Sequence, residues 1–129
     1  MRQLELHLED RIITKKNGKI ISFNRSTGRP FIRSKECFKV FEEKSMLLLK
    51  SQAAGEKFLG RVYIDYVFFV KGAQIVDTDN MQTTINDLLQ DAGIITNDRN
   101  NVEGHYKRID NAGKWGAIIT VIEGWEQDI

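Results

Sequence analysis

Apolar residues recur with two different periods along the chain, and the period separates expected strands from expected helices. Residues 4–8, LELHL, alternate, so the three leucines share one face of a short strand. Residues 62–70, VYIDYVFFV, are apolar on both alternating faces except at Asp65. A strand that is apolar on both faces is typical of the buried centre of a sheet. The core predicted from this strand includes Tyr63, Phe68 and Phe69.

Two longer segments have the spacing of amphipathic helices. The first, residues 34–52, starts at Ser34 as its candidate N-cap, and Gly55 lies just past its end. Its expected buried positions are Cys37, Val40, Phe41, Leu47 and Leu48. The second helix covers residues 79–93, with Gly93 as its C-terminal stop. Its expected buried positions are Met81, Ile85, Leu88, Leu89 and Ala92.

Turn-forming residues organise the remaining parts of the chain. Asn17-Gly18 and the Ser-Thr-Gly sequence at 26–28 predict a basic excursion that resembles a hairpin. Residues 102–109 and 115–124 are typical of two further strands. A turn at 111–113 would allow these two strands to pair with each other.

The order of elements and the length of the chain define the expected architecture. Strands, helix, strand, helix and strands within 129 residues predict one α+β domain over residues 1–129. We expect a small mixed β-sheet with two main helices packed on one side of it. The hydrophobic fraction of 41% is sufficient for an ordinary core. The single cysteine, Cys37, cannot form an internal disulfide, and we predict that it belongs to that core.

No targeting signal is apparent from the hydrophobic pattern. The chain shows no signal peptide and no run near the roughly twenty apolar residues that a membrane span requires. We therefore expect a cytoplasmic protein with no membrane segment.

The net charge of +1 conceals a strong separation of charge along the chain. Residues 11–35 carry eight basic residues and no acid, whereas residues 72–103 carry six acids and one arginine. A basic segment suits a polyanion such as DNA, and an acidic segment suits a cation. A solvated hairpin and a solvated, capped helix are the simpler alternatives. The basic residues are Arg11, Lys15, Lys16, Lys19, Arg25, Arg29, Arg33 and Lys35.

The acidic segment places carboxylates at both ends of the second helix. Asp79 can cap this helix, and Gln82 three residues later completes a capping box. Asp77 lies two residues earlier, where an extended backbone would turn its side chain to the same side as Asp79. Asp98 follows the helix after the turn at Gly93. Carboxylates held close together repel one another unless a cation intervenes, and their oxygens suit Mg²⁺, with Mn²⁺ as a substitute.

The stretch DTDNMQTTINDLLQDAGIITND, residues 77–98, resembles the central motif of the RusA-type Holliday junction resolvases. That motif has D-x-D-N, a helix that ends in Ala-Gly and a hydrophobic residue, and then an acidic pair. The resemblance implies a RusA-like fold and a homodimer that binds four-way DNA junctions in recombination and repair. It implies Mg²⁺-dependent nicks in two opposed strands. By the same resemblance, Asp77, Asp79 and Asp98 are metal-binding and catalytic acids, and Asn80 is the motif asparagine and contacts DNA.

Two positions depart from the family pattern. The family usually has a lysine three residues after the motif asparagine, and that position is Thr83 here. The acidic pair is reduced to Asn97-Asp98. An active enzyme would then need another cation beside the phosphate. We predict Lys107, because a strand holds it rigidly, with Lys16 as the second choice and Lys71 as the remaining alternative. The basic residues expected to contact DNA are Lys15, Lys16, Arg33 and Lys35.

Other functions and other residues compete with this interpretation. A DNA-binding module that has lost catalysis is the main alternative, and Thr83 favours it. A D-x-D nucleotide-sugar transferase is less suitable, because the chain is short and has no Gly-rich phosphate loop. His7 and His105 lie within predicted strands, where a structural role is expected. For Trp115 and Trp125 we expect packing in the core or in a dimer interface.

Overall fold

The computed structural model describes residues 2–14, 19–34, 36–73, 76–96 and 101–123. For residues 19–22, 31–34 and 101–103 only the backbone is described. The strands in these ranges are β1 (Arg2–Leu8), β2 (Lys19–Phe23), β3 (Pro30–Ser34), β4 (Val62–Phe69), β5 (Asn101–Ile109) and β6 (Gly116–Glu123). The helices in these ranges are α1 (Glu36–Ala53) and α2 (Thr78–Asp91).

Four of the strands form a mixed sheet in the order β1, β6, β4, β5. Strand β6 runs antiparallel to both of its neighbours, whereas β4 and β5 are parallel. Buried side chains of both helices join those of one sheet face in a single core. The prediction of an α+β fold with a small mixed sheet and two helices packed on it is therefore confirmed.

The last two strands do not pair with each other as the sequence suggested. Strand β4 lies between them, with β5 on one side and β6 on the other. Because α2 carries the chain from β4 to a parallel β5, the connection is a β-α-β crossover, and β6 then reaches the opposite edge of β4. The turn itself lies where it was predicted, with Asn111 and Gly113 at φ values of 53° and 72°.

Strand β4 has two unequal faces. Tyr66 and Phe68 are buried against the helices, and their rings stack with centroids 5.7 Å apart. Tyr63 and Phe69 point to the other face and are only half-buried. The core prediction is thus confirmed for Phe68 and wrong for Tyr63 and Phe69, because the described helices cover one face of the sheet only. Lys114 partly covers this second face, with its Nζ 4.5 Å from the ring centroid of Phe69.

Helix α1 buries a different stripe from the one that the sequence predicted. The buried residues are Phe38, Phe41, Ser45, Leu49 and Ala53. Of the predicted set only Phe41 is buried, whereas Cys37, Val40 and Leu47 are exposed and Leu48 is half-buried. Apolar residues occur on more than one side of this helix, so their spacing alone does not decide which side faces the sheet. The prediction of Cys37 as a core residue is wrong, and its thiol is accessible to solvent.

Helix α2 follows its sequence pattern closely. Met81, Ile85, Leu88 and Leu89 are buried as predicted, whereas Ala92 forms the C-cap and is half-buried. The helix stops as expected at Gly93, whose φ of 74° suits a residue without a Cβ. No helix in the described ranges is both long and apolar enough to cross a membrane.

Strands β2 and β3 form a separate antiparallel hairpin, which confirms the predicted excursion. Asn24 begins its turn, where Oδ1 accepts hydrogen bonds from the backbone N of Ser26 (2.8 Å) and of Thr27 (3.3 Å). Gly28 completes the turn with a φ of 70°. The predicted turn at Asn17-Gly18 lies outside the described residues.

Candidate functional site

Asp77 caps helix α2 through two hydrogen bonds to one residue. Its Oδ1 accepts from the backbone N of Asn80 (3.0 Å), and its Oδ2 accepts from the Nδ2 of the same residue (2.8 Å). Asp77 is extended, with φ −93° and ψ 98°, as an N-cap residue should be. The prediction of Asp79 as the cap, paired with Gln82, is wrong, because the helix begins two residues earlier and uses Asn80 as its third position.

Asp79 is consequently left without a capping role. It lies in the first turn of α2, is exposed, and its carboxylate makes no hydrogen bond or ion pair with another described residue. The sequence had suggested that the two aspartates are neighbours on an extended backbone. That prediction is wrong, because Asp79 lies in the first turn of the helix. Both carboxylates lie where the helix dipole favours negative charge.

The donor chemistry of these two side chains fits a hard divalent cation. Each oxygen of Asp77 accepts one hydrogen bond and keeps a second lone pair, and Asp79 keeps both of its oxygens. Carboxylate oxygens are the ligands that Mg²⁺ prefers. The predicted third acid, Asp98, lies outside the described residues. Within the described ranges, no group of three or more His, Cys, Asp or Glu side chains is arranged to hold a metal ion.

A cavity of about 440 Å³ opens beside the Asp77 end of α2, at the end of β4. Ile12, Phe68, Val70 and Met81 are buried residues that form its apolar wall. The exposed residues Arg11, Cys37 and Asp77 also line it. A cavity of this size with apolar walls and a few polar groups is typical of a ligand site.

The segment that follows β1 forms one side of this cavity. Ile12 and Thr14 are buried, and between β1 and these residues Asp10 Oδ2 lies 2.6 Å from Lys44 Nζ of α1. The hydrogen bond from Lys44 to Asp10, and the charge of Asp10, raise the pKa of the Lys44 ammonium. Arg11 is exposed, and its guanidinium carbon lies 4.6 Å from the ring centroid of Trp115.

The predicted DNA-binding and catalytic residues do not all lie in one place in the structure. Asn80 donates its side-chain amide to Asp77, so in this structure it orients that carboxylate. Lys107 lies opposite Val67 in the parallel β4–β5 pair, on the sheet face away from α2, and it does not line the cavity. The hydroxyl of Thr83 donates to the backbone O of Asp79 (3.0 Å).

The other DNA-contact predictions concern residues that the structure does not describe in full. Lys15, Lys16 and Lys35 lie outside the described residues, and Arg33 has only its backbone described. Their contacts with DNA stay predictions.

Neither histidine lies at the cavity. His7 Nε2 lies 3.0 Å from Glu5 Oε2, and His105 Nδ1 lies 3.5 Å from Asp65 Oδ1. Both pairs are on the sheet face that the described helices leave uncovered, which agrees with the structural role expected for them.

Sequence reasoning missed Arg11 and Trp115 as members of one site. Arg11 was counted only as a charge of the basic segment, and Trp115 was expected to pack in the core or in an interface. About a hundred residues separate the two, and no local pattern links them. The β1–β6 pairing brings them together, because it sets Leu8 opposite Ala117.

Comparison with known proteins finds a similar protein of comparable length. No family model matches the chain. The chain is 26% identical over 128 residues to the crossover junction endodeoxyribonuclease RusA of Aquifex aeolicus (strain VF5), and the match covers 94% of this chain and 92% of that protein. The chain is thus similar to RusA at low identity along most of its length. The resemblance predicted from residues 77–98 is confirmed at this level, and a match of this coverage extends far beyond that motif.

Proposed function

We propose that this chain is a metal-dependent, structure-selective endodeoxyribonuclease that resolves Holliday junctions by paired, symmetric nicks. The observation that carries the proposal is the similarity to a crossover junction endodeoxyribonuclease along 94% of the chain. The exposed carboxylates of Asp77 and Asp79 at the start of α2 support it, since they are suitable ligands for the required cation. Asp98 is proposed as the third ligand.

The proposed chemistry is hydrolysis of a DNA phosphodiester. A water oxygen bonds to phosphorus, one P–O ester bond breaks, and the leaving oxygen takes up a proton. Asp77 and Asp79 would hold Mg²⁺ or Mn²⁺, which lowers the pKa of a bound water and stabilises charge on the phosphoryl oxygens. Asn80 keeps the Asp77 carboxylate in one orientation through its amide. The basic segment 11–35 would bind backbone phosphates, which position DNA without reading its sequence.

Paired nicks require two active sites on one junction. We therefore propose a homodimer with two-fold symmetry, because this symmetry matches that of the two cuts. Selectivity for junctions would arise from the spacing of the two sites rather than from contacts with bases.

The second candidate function is a junction-binding module without catalysis. Thr83 favours it, because this residue carries no charge and its hydroxyl is engaged by the Asp79 carbonyl. The two functions make opposite predictions for DNA cleavage and the same prediction for DNA binding.

Cleavage of labelled synthetic DNA separates these functions. Wild-type protein is incubated with a four-way junction, a fork and a duplex, with Mg²⁺, with Mn²⁺ and with a chelator. We expect symmetric nicks in the junction, dependent on the metal and absent in Asp79→Asn. Tight junction binding without nicks under any condition would favour the inactive module. Absence of preferential junction binding would contradict both functions.

A further inference from the structure

The cavity beside α2 contains one positive and one negative side chain that do not meet. Among the described residues that line it, Arg11 is the cation and Asp77 is the carboxylate. Asp77 is engaged by Asn80, and Arg11 makes no ion pair with a described residue. Two opposite charges that share a cavity without neutralising each other leave room for a ligand between them.

Arg11 is held in place through the face of its guanidinium group and not through its N–H donors. Its guanidinium lies over Trp115, with the carbon 4.6 Å from the ring centroid, and it makes no hydrogen bond with any described residue. A guanidinium stacked on an aromatic ring keeps its N–H groups available in the plane of the stack. The segment that bears it is fixed by buried Ile12 on one side and by the Asp10–Lys44 pair on the other. The donors of Arg11 are therefore oriented, and no described residue occupies them.

A phosphate is the ligand group that suits this arrangement. Guanidinium binds phosphate through parallel N–H···O bonds, and the two are matched in geometry as well as in charge. The Asp77 carboxylate repels a phosphate directly, so the two are compatible only if a cation joins them. A phosphate at this place would have a metal held by Asp77 on one side and Arg11 on the other.

We propose that Arg11, oriented by Trp115, binds the phosphate that is cut and stabilises the charge on its oxygens in the transition state. This inference rests on the proposed nuclease function and assigns the role of the phosphate-binding cation to a residue outside α2 and its motif. Trp115 acts through Arg11 as a positioning residue. Lys107, which was expected to take this role, does not line the cavity.

The first test compares nicking rates of Arg11→Ala and Lys114→Ala at saturating protein on the four-way junction. Lys114 is a matched control, because it is also an exposed cation over an aromatic ring, 4.5 Å from the Phe69 centroid, but it does not line the cavity. We expect Arg11→Ala to lower the rate by about 10²–10³ and Lys114→Ala to change it less than about threefold. Arg11→Lys should recover part of the loss.

The second test does not depend on cleavage. Cys37 lines the same cavity and is exposed, so a thiol reagent can report whether DNA fills the cavity. In buffer in which Ca²⁺ replaces Mg²⁺ as the hard divalent cation, junction DNA should slow the labelling of Cys37 at least tenfold in wild-type protein. The protection should be reduced in Arg11→Ala and retained in Lys114→Ala, at DNA concentrations that saturate each variant.

The outcomes distinguish this inference from the function on which it rests. If wild-type protein nicks junctions and Arg11→Ala nicks at the same rate, the inference is wrong and the proposed function stands. Unchanged Cys37 labelling in the wild-type complex would also overturn it, because the phosphate would then lie elsewhere. If wild-type protein never nicks branched DNA, the proposed function fails, and the role of Arg11 in the reaction fails with it.

Discussion

Asp77 has two roles that a pair of substitutions can separate. In the wild-type protein the backbone N of Asn80 lies 3.0 Å from Asp77 Oδ1. Asp77→Asn keeps an oxygen that can accept this hydrogen bond, and asparagine is a good N-cap. The contact at 2.8 Å can also survive, if the Asn80 amide turns over and presents its oxygen. Asp77→Ala removes both bonds. The first change therefore deletes charge alone, and the second deletes charge and cap together.

The expected loss of stability follows from these contacts. Removing an N-cap typically costs about 1 kcal/mol, and in a domain of this size that lowers Tm by about 3–5 °C. We expect this loss for Asp77→Ala and less than about 0.5 kcal/mol for Asp77→Asn, because the exposed charge itself contributes only a few tenths through the helix dipole. Thermal or urea denaturation measures both values.

Junction cleavage supplies the other half of the experiment. We expect both variants to lose metal-dependent nicking, because neither retains the carboxylate. Asp79→Asn serves as the control, since Asp79 does not cap the helix. Its free energy of unfolding should lie within about 0.5 kcal/mol of the wild-type value. The variant should lose nicking and keep or tighten junction binding. Equal destabilisation by Asp77→Asn and Asp77→Ala would refute the capping geometry, and wild-type cleavage by Asp77→Asn would refute a metal-binding role.

Three further predictions concern the assembly and the packing of the domain. Light scattering at micromolar concentration should give about twice the chain mass of 14.9 kDa, and a monomer that persists on DNA would contradict a resolvase. Gly116→Ala should destabilise the protein by about 2–3 kcal/mol, since φ is 152° and the added Cβ would lie 2.5 Å from the Leu8 carbonyl oxygen. Gly60→Ala, whose Cβ would meet nothing within 4 Å, should be nearly neutral in the same urea titration. Ile85→Ala should cost about 3 kcal/mol because Ile85 is fully buried, whereas loss of the exposed Leu47 side chain should leave the denaturation midpoint unchanged.

Local sequence determined the features that depend on near neighbours. The stripe of α2, its stop at Gly93, the turn at Gly28 and the alternation in β1 were all predicted correctly. Each of them depends on residues a few positions apart, whose side-chain sizes and backbone preferences act in any fold. The class of the fold also followed, because the order of strands and helices limits how they can be stacked.

The exact start of α2 was predicted wrongly for a local reason. Asp77 and Asp79 are both good N-cap residues, and either could begin the helix. Asn80 decides between them in the structure, because it gives Asp77 two hydrogen bonds. The difference matters for function, because the capping role belongs to Asp77 and Asp79 has no capping role.

Only the tertiary structure decided which distant parts of the chain meet. The place of β4 between β5 and β6 depends on the crossover through α2, and the exposure of Cys37 depends on which side of α1 faces the sheet. Neither is encoded in a short pattern. Arg11 and Trp115 belong to one cavity because β1 and β6 pair, and side chains about a hundred residues apart acquire a joint function only through that pairing. The motif from Asp77 onwards could thus be recognised in sequence, whereas the cation proposed to act beside it could be found only in the folded chain.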